Sequence, residues 1–213
     1  MKFAEILELT REMPCFDISL LTQAYDTPRA NIRVQLARWV AQGKLIPLRR
    51  SWYAIAAPYR AQLANPATLA HRLVRPSYLS GLWALSYYDL IPERVVWFTS
   101  VTTRSPKNFH NQFGVFDYRH IKQEAFWGYV MAEVGGGQFY VAEAEKALLD
   151  HWHLTKGKWS EERLTEMRYQ HTPIIDQDKL QVYSKRYNSP RLEHVVKNWR
   201  RLMTEMECPQ ELL

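Results

Sequence analysis

Residues 17–56 carry the pattern that decides the fold of the first part of the chain: DISLLTQAYDTPRANIRVQLARWVAQGKLIPLRRSWYAIA. Asp17 is suited to cap a short amphipathic helix, and the pattern breaks before Pro28, a residue that the first position of a helix tolerates. A second amphipathic helix follows. Gly43 stands where the end of that helix favours a residue with left-handed backbone angles.

A basic hairpin follows the second helix. Residues 44–50 and 52–55 read as two short strands around Ser51, and residues 2–12 read as a helix that precedes the quoted stretch. Helix, short turn, helix and basic hairpin is the layout of a winged helix-turn-helix. The sequence therefore predicts a DNA-binding domain of this type over residues 1–60.

The second helix of the quoted stretch has two different faces. Ile32, Leu36, Trp39 and Val40 recur at helical spacing and predict the face that packs inward. Small residues, Asn and Arg occupy the opposite side, and Asn and Arg can pair with the edges of adenine and guanine in the major groove. The predicted DNA-contacting residues are Thr27, Arg29, Asn31, Arg33 and Arg38 on this helix, and Lys44, Arg49 and Arg50 at phosphates or in the minor groove.

Positive charge is concentrated in the same part of the chain. Residues 26–64 hold seven Lys and Arg against one acid, Asp26, so their local net charge of +6 equals that of the whole chain. A field this concentrated attracts polyanions. The alternative, a solvated helix with scattered charges, is disfavoured by this placement.

Beyond residue 60 the composition changes, because residues 65–150 hold eight bases and eight acids. We expect an α+β domain over residues 65–213, with a small, mainly antiparallel sheet and a helical tail from about residue 154. The predicted strands are 95–102, 114–121, 128–134 and 139–142, and the predicted helices are 143–153, 160–169, 176–187 and 190–206.

No catalytic, cofactor or metal site is evident. Gly135–Gly137 lacks the Lys-Ser/Thr of a phosphate-binding loop and predicts a hairpin turn. His151 and His153 are two residues apart, so on a helix they point in different directions and do not share a metal easily. Glu145 predicts a buried carboxylate with a Lys or Arg partner. We therefore expect a protein that is not an enzyme.

The composition also suggests a compartment. The two cysteines, Cys15 and Cys208, are far apart and form no metal-binding pattern, which is typical of a reducing cytosol. No apolar run approaches the roughly 18 residues that a membrane-spanning helix needs. We expect a cytoplasmic protein that does not span a membrane.

Five motifs together resemble a known family. They are LIPLRRSWYAI at 45–55, PSYLSGLWALSYYDLIPERV at 76–95, FTSVTT at 98–103, FGVFDYRHI at 113–121 and VAEAEKALLDHWH at 141–153. In this order they are similar to the AbiEi-type antitoxins, which are also described as transcriptional regulators of viral defence systems. The resemblance covers about residues 1–155. The family often has Gly where this chain has Ser51.

The resemblance implies a DNA-binding head that represses its own operon. It also implies that the rest of the chain antagonises a nucleotidyltransferase toxin in a type IV toxin–antitoxin system. Two alternatives stay open. The protein could be a stand-alone winged-helix regulator without a toxin, or a protein-interaction module whose basic head binds nucleic acid without sequence preference.

Overall fold

Helices and a small sheet make up the first 60 residues of the computed structural model, which describes residues 1–60 and 65–207. The three strands pair antiparallel in the order β1-β3-β2. The elements are α1 (Phe3–Leu9), β1 (Phe16–Asp17), α2 (Ile18–Ala24), α3 (Arg29–Ala41), β2 (Leu45–Arg49) and β3 (Trp52–Ile55).

Local sequence explains the boundaries of α2 and α3. The carboxylate of Asp17 accepts a hydrogen bond of 2.7 Å from the backbone N–H of Ser19, so Asp17 caps α2 as predicted. Pro28 is the residue before α3 rather than its first helical residue, one position from the prediction. Gly43 has φ +67°, and Lys44 N–H donates to the carbonyl of Trp39, which closes the end of α3 in a Schellman motif.

A larger sheet and six helices follow within the described part of residues 65–207. The order of the six strands is β6-β7-β5-β4-β9-β8. The elements are α4 (Pro66–Leu73), β4 (Ser77–Leu79), α5 (Gly81–Tyr87), β5 (Trp97–Thr102), β6 (Lys107–Asn111), β7 (Gly114–His120), β8 (Tyr129–Val134), β9 (Gly137–Ala142), α6 (Ala144–Leu154), α7 (Glu161–Glu166), α8 (Gln177–Arg186) and α9 (Pro190–Glu207), with 3-10 turns at Gln123–Ala125 and Thr172–Ile174.

The protein is thus a mixed α+β protein, as predicted, but its second sheet is larger than the sequence predicts. Strand β4 pairs parallel with β9, and β5 pairs parallel with β7, so the sheet is mixed. The sequence analysis predicts neither β4 nor β6, because both are short and carry polar residues. The expected turn at Gly135–Gly136 is confirmed, since both residues have positive φ and join β8 to β9.

The predicted tail helices are present; the first two are shorter than predicted, and the last agrees to within one residue. Helix α7 ends at Glu166 rather than near residue 169, and Arg168 takes a left-handed φ of +48°. The last helix packs into the core, as the sequence favours. Its buried residues include Leu192, Val195 and Trp199.

Buried apolar residues form two clusters among the described residues, and the β2–β3 hairpin lies between them. Leu45 and Ile55 belong to the cluster of the first 60 residues. Ile46, Leu48 and Ala54 belong instead to the larger cluster that includes the second sheet and α6 to α9. The predicted boundary near residues 60–65 falls partly on residues 61–64, which lie outside the described residues.

Candidate nucleic-acid interface

Helix α3 is held by one apolar stripe. Ile32, Leu36 and Trp39 are buried, and the ring of Trp39 lies 5.3 Å from that of Phe3 on α1. Val40 packs against the same cluster as a half-buried residue. This is the inward face that the spacing predicts, so the orientation of α3 about its own axis follows from the sequence.

The opposite face of α3 carries cations that are not engaged inside the protein. Arg29, Asn31, Arg33 and Arg38 are all exposed. Within residues 1–60 and 65–207, none of the three arginines forms an ion pair or a side-chain hydrogen bond. Ala30 and Ala37 lie exposed among them, and they leave room for close approach of another surface. We call these four polar residues the α3 face.

Three further predicted residues lie around α3. Thr27 is half-buried in the turn before the helix, where its backbone N–H donates to the carbonyl of Tyr25 at 2.8 Å. The Lys44 ammonium lies 5.3 Å from the ring centre of Phe3 in a cation–π contact. Arg50 is exposed at the tip of the β2–β3 hairpin and has no ion-pair partner in the described part of the chain.

Arg49 has a different environment from the other predicted residues. Its guanidinium lies 5.0 Å from the ring centre of Trp52 and 5.7 Å from that of Phe109 on β6. Burial lowers the pKa of Arg49, and its Nε is buried without a hydrogen-bond partner among the described residues. The side chain therefore packs at the junction with the second sheet, a placement that does not favour the predicted DNA contact by Arg49.

A second set of ionisable groups is completely buried. The Asp150 carboxylate on α6 pairs with Lys146 one turn earlier, and both side chains have zero exposure. Ser80 donates to this carboxylate at 2.7 Å and Tyr78 donates to it at 3.0 Å. The Tyr187 hydroxyl also donates to Asp150. We call these five residues the buried network. The sequence analysis does not predict it, and the only local signal for it is the i, i+4 spacing of Lys146 and Asp150, which suits an ion pair on one helix.

Burial dominates the electrostatics of this network. It lowers the pKa of Lys146, and the Asp150 carboxylate raises that pKa again only in part. Burial also raises the pKa of the Tyr78 and Tyr187 hydroxyls, with Asp150 adding to both shifts. Since Lys146 and Asp150 have no solvent exposure, the network has the properties of a structural link between β4, α6 and α8.

A pair of carboxylates, one buried and one half-buried, lies at the start of α6. Glu145 is buried and accepts from Lys179 Nζ at 3.0 Å, which confirms the predicted buried Glu with a basic partner. Glu143 accepts from the same ammonium at 3.0 Å and from the Tyr183 hydroxyl at 2.6 Å. Burial alone would raise the pKa of Glu143, but these two hydrogen bonds outweigh it and lower the pKa.

Residues 1–60 and 65–207 contain no group of three or more His, Cys, Asp and Glu side chains arranged to hold a metal ion. Nor do they include a helix with the length and apolar character needed to cross a membrane. The thiol of Cys15 is buried, and burial raises its pKa to about 12, so it is not a reactive thiolate at neutral pH.

Comparisons with known proteins do not identify the chain. No protein-family model matches it. No curated protein shows significant similarity to it. Its function therefore has to be inferred from the geometry of the α3 face and from the motifs in the sequence.

Proposed function

We propose that the protein is a DNA-binding transcriptional regulator, and that residues 1–60 act as a winged helix-turn-helix with α3 as the recognition helix. The observation that carries this proposal is the α3 face, on which three exposed arginines have no ion-pair partner within the described chain and lie beside an exposed asparagine. An unengaged cationic helix face matches the width and the charge of the major groove of DNA.

The neighbouring elements support the same proposal. The turn between α2 and α3 spans only residues 25–28, and the β2–β3 hairpin follows α3 directly. Strand β1 adds a third antiparallel strand to this hairpin. In a winged helix-turn-helix, such a hairpin lies beside the recognition helix and contacts the DNA backbone or the minor groove.

Each residue of the interface has a proposed role. Asn31 and Arg38 contact base edges, while Arg29 and Arg33 contact bases or phosphates at the borders of the groove. Lys44 and Arg50 contact phosphates, which position the protein without reading sequence. Arg49 is left out of this set because it packs against Trp52 and Phe109.

The test measures binding of the purified protein to its own upstream DNA and to a scrambled duplex at two salt concentrations. We expect a preference for the upstream fragment that persists at the higher salt. Arg38→Ala should weaken specific binding by about 1–3 kcal/mol if Arg38 reads a base. Lys44→Ala should weaken binding to both duplexes alike and reduce the salt dependence.

A matched control is Arg94→Ala, because Arg94 is exposed and unpaired within the described residues but lies outside residues 1–60. This variant should bind the upstream fragment like the unmodified protein. Equal, salt-sensitive binding of both duplexes by the unmodified protein would contradict a sequence-specific regulator. An unchanged affinity and preference in Arg38→Ala would contradict the proposed orientation of α3.

We further propose that the protein is a cytoplasmic antitoxin that represses its own operon and antagonises a nucleotidyltransferase toxin. The support for this role is the resemblance of residues 1–155 to the AbiEi-type antitoxins. Co-expression with the product of a neighbouring nucleotidyltransferase gene tests it, and the expected result is rescue of growth. Absence of such a gene, or growth arrest that the protein does not relieve, would favour a stand-alone regulator.

A further inference from the structure

A cleft with a volume of about 660 Å³ is lined by residues between His71 and Tyr140. None of these residues belongs to the α3 face. Its floor is formed by β8 and β9, and its walls come from the end of α4, the segment after β5 and the segment after the first 3-10 turn. Cationic and aromatic side chains dominate its lining: Arg72, Arg75, Arg104, Phe126, Tyr129 and Tyr140.

Three arginines converge on one wall of this cleft. Arg72, Arg75 and Arg104 are exposed, and Arg104 Nε donates to the backbone carbonyl of Arg75 at 3.4 Å. No carboxylate lines the cleft, and none of the three guanidinium groups has an acidic partner among the described residues. Arg72 lies in the last turn of α4, where a cation is favourable, but this does not account for Arg75 and Arg104. The wall therefore presents positive charge to solvent.

Aromatic rings lie across the floor from these arginines. The ring of Tyr129 lies 5.3 Å from Phe126 and 5.5 Å from Tyr140, and Tyr140 lies 4.8 Å from the imidazole of His71. Phe126, Tyr129 and Tyr140 are half-buried, so part of each ring borders the cleft. Met131, which is 61% exposed, lies beside them on β8. Together they form an apolar floor.

Contacts with Tyr78 and Ser77 position the side chains of this floor. Tyr129 stacks on Tyr78 with ring centres 4.8 Å apart and an interplanar angle of 18°, and Tyr78 belongs to the buried network. His71 is fixed by contact of its Nδ1 with the carbonyl of Ser77 at 3.3 Å. Burial lowers the pKa of His71, and the nearby Arg75 and Arg72 lower it further, so the imidazole is neutral at pH 7.

We propose that this cleft binds a free nucleotide, with its phosphates on the arginine wall and its base on the aromatic floor. Guanidinium groups pair with phosphate oxygens in a planar, two-pronged geometry. Aromatic side chains stack on any base with little dependence on its identity. The volume is that of a site for a small molecule. The cleft thus has in its lining the two kinds of group that a nucleotide needs.

Isothermal titration calorimetry on the full-length protein tests the proposal. The probes are ATP, GTP, AMP, inorganic triphosphate and a single-stranded hexanucleotide. We expect micromolar binding of the nucleoside triphosphates. AMP should bind more weakly because it offers one phosphate instead of three to the arginines, and inorganic triphosphate should bind more weakly because it has no base.

Three variants separate the two halves of the site. Arg75→Ala and Arg104→Ala should each weaken ATP binding by about tenfold or more, because each removes a charge-assisted hydrogen bond. Tyr140→Leu should reduce the preference for ATP over inorganic triphosphate. Arg94→Ala is the matched control, since it removes an exposed arginine that lines neither this cleft nor the α3 face, and it should leave ATP binding unchanged. Circular dichroism verifies that each variant is folded.

Several results would overturn the proposal. One is the absence of heat with every probe at millimolar concentration. Another is equal binding of ATP and inorganic triphosphate that Tyr140→Leu does not change, which would indicate an anion site only. Binding of the hexanucleotide without binding of mononucleotides would indicate a single-stranded nucleic acid instead. An equal loss in Arg94→Ala would indicate a general effect of charge.

Discussion

At the scale of single residues, the buried network holds a charged pair away from solvent. Lys146 and Asp150 pair without solvent contact, and three hydroxyl groups surround them. A buried charge is tolerated only while its partner is present, because removing one member leaves the other without solvation. The network therefore constrains the relative positions of β4, α6 and α8 more than apolar contacts alone would.

The first prediction concerns this pair. Lys146→Met should lower the free energy of unfolding by about 3–5 kcal/mol, because it leaves the Asp150 carboxylate buried and uncompensated. Urea denaturation followed by circular dichroism measures this change. The double variant Lys146→Met, Asp150→Asn should be more stable than Lys146→Met alone, since it removes the second charge as well. A double variant as unstable as the sum of both single changes would argue against charge burial as the cause.

The second prediction concerns His151 and pH. Burial and, to a smaller extent, the positive charge of Arg163 together lower the pKa of His151 from its ordinary 6.5 to about 4. Between pH 6.5 and pH 4 the imidazole is protonated in the unfolded chain but stays neutral in the folded protein. The free energy of unfolding therefore falls as the pH falls. From pH 7 to pH 5 the loss is about 2 kcal/mol. Thermal denaturation across this range measures it.

The matched variants for this prediction are two histidine substitutions. His151→Phe keeps an aromatic ring 5.2 Å from Trp159 and removes the titration, so its stability should depend less on pH between 7 and 5. His110→Phe, at an exposed position on β6, should keep the pH dependence of the unmodified protein. The carboxylate of Glu143 does not interfere, because its lowered pKa affects stability only below about pH 4.5. If His151→Phe follows the same pH profile as the parent, another group is responsible.

At the scale of elements, the β2–β3 hairpin shows how a turn depends on one residue. Ser51 has φ +66°, a left-handed conformation that costs a residue with a Cβ about 1–2 kcal/mol. Its carbonyl accepts a hydrogen bond of 2.9 Å from Ile18 N–H, which ties the hairpin tip to the start of α2. The position therefore favours glycine, the residue that the resembled family often has there.

The third prediction is that Ser51→Gly stabilises the protein. The relieved backbone strain exceeds the added entropy of the unfolded chain, and we expect a gain of about 0.5–1 kcal/mol. Differential scanning calorimetry should show a higher melting temperature for this variant. Ser51→Val should lower the melting temperature, because a β-branched residue tolerates positive φ least. A lower melting temperature for Ser51→Gly would mean that the serine side chain stabilises the folded protein by more than its positive φ destabilises it.

At the scale of the whole molecule, the β2–β3 hairpin packs the first 60 residues against the second sheet. Leu48 is 2% exposed and belongs to the larger apolar cluster, and its carbonyl accepts from Asn111 Nδ2 on β6 at 3.0 Å. Arg49 covers Phe109 beside it. The hairpin, which directly follows α3, therefore connects the α3 face to the second sheet.

The fourth prediction follows from this junction. Leu48→Ala should lower the free energy of unfolding by about 2–5 kcal/mol. It should also increase the rate of amide hydrogen exchange in both the β2–β3 hairpin and β6. Leu36→Ala, which removes a buried leucine from the cluster of the first 60 residues, should increase exchange there and leave β6 unchanged. Exchange measured by mass spectrometry distinguishes the two. Unchanged exchange of β6 in Leu48→Ala would show that the two regions are not coupled through this residue.

Local patterns in the sequence determined the elements that depend on near neighbours. The apolar stripe of Ile32, Leu36 and Trp39 set the inward side of α3, and thereby the exposed positions of Arg29, Arg33 and Arg38. Gly43 and the glycines after β8 set a helix end and a turn, because few other residues tolerate positive φ. Such features were predictable, since their physical causes lie within a few residues of chain.

Only the tertiary structure decided the features that depend on distant partners. Strand β4 has three residues and gains its central place from pairing with β5 and β9, which no local pattern reveals. Arg49 turns to Phe109, 60 residues later, instead of to solvent. The arginines and aromatic rings of the cleft come from segments that meet only in the folded protein. Periodicity shows which side of an element is covered, whereas long-range packing decides what covers it.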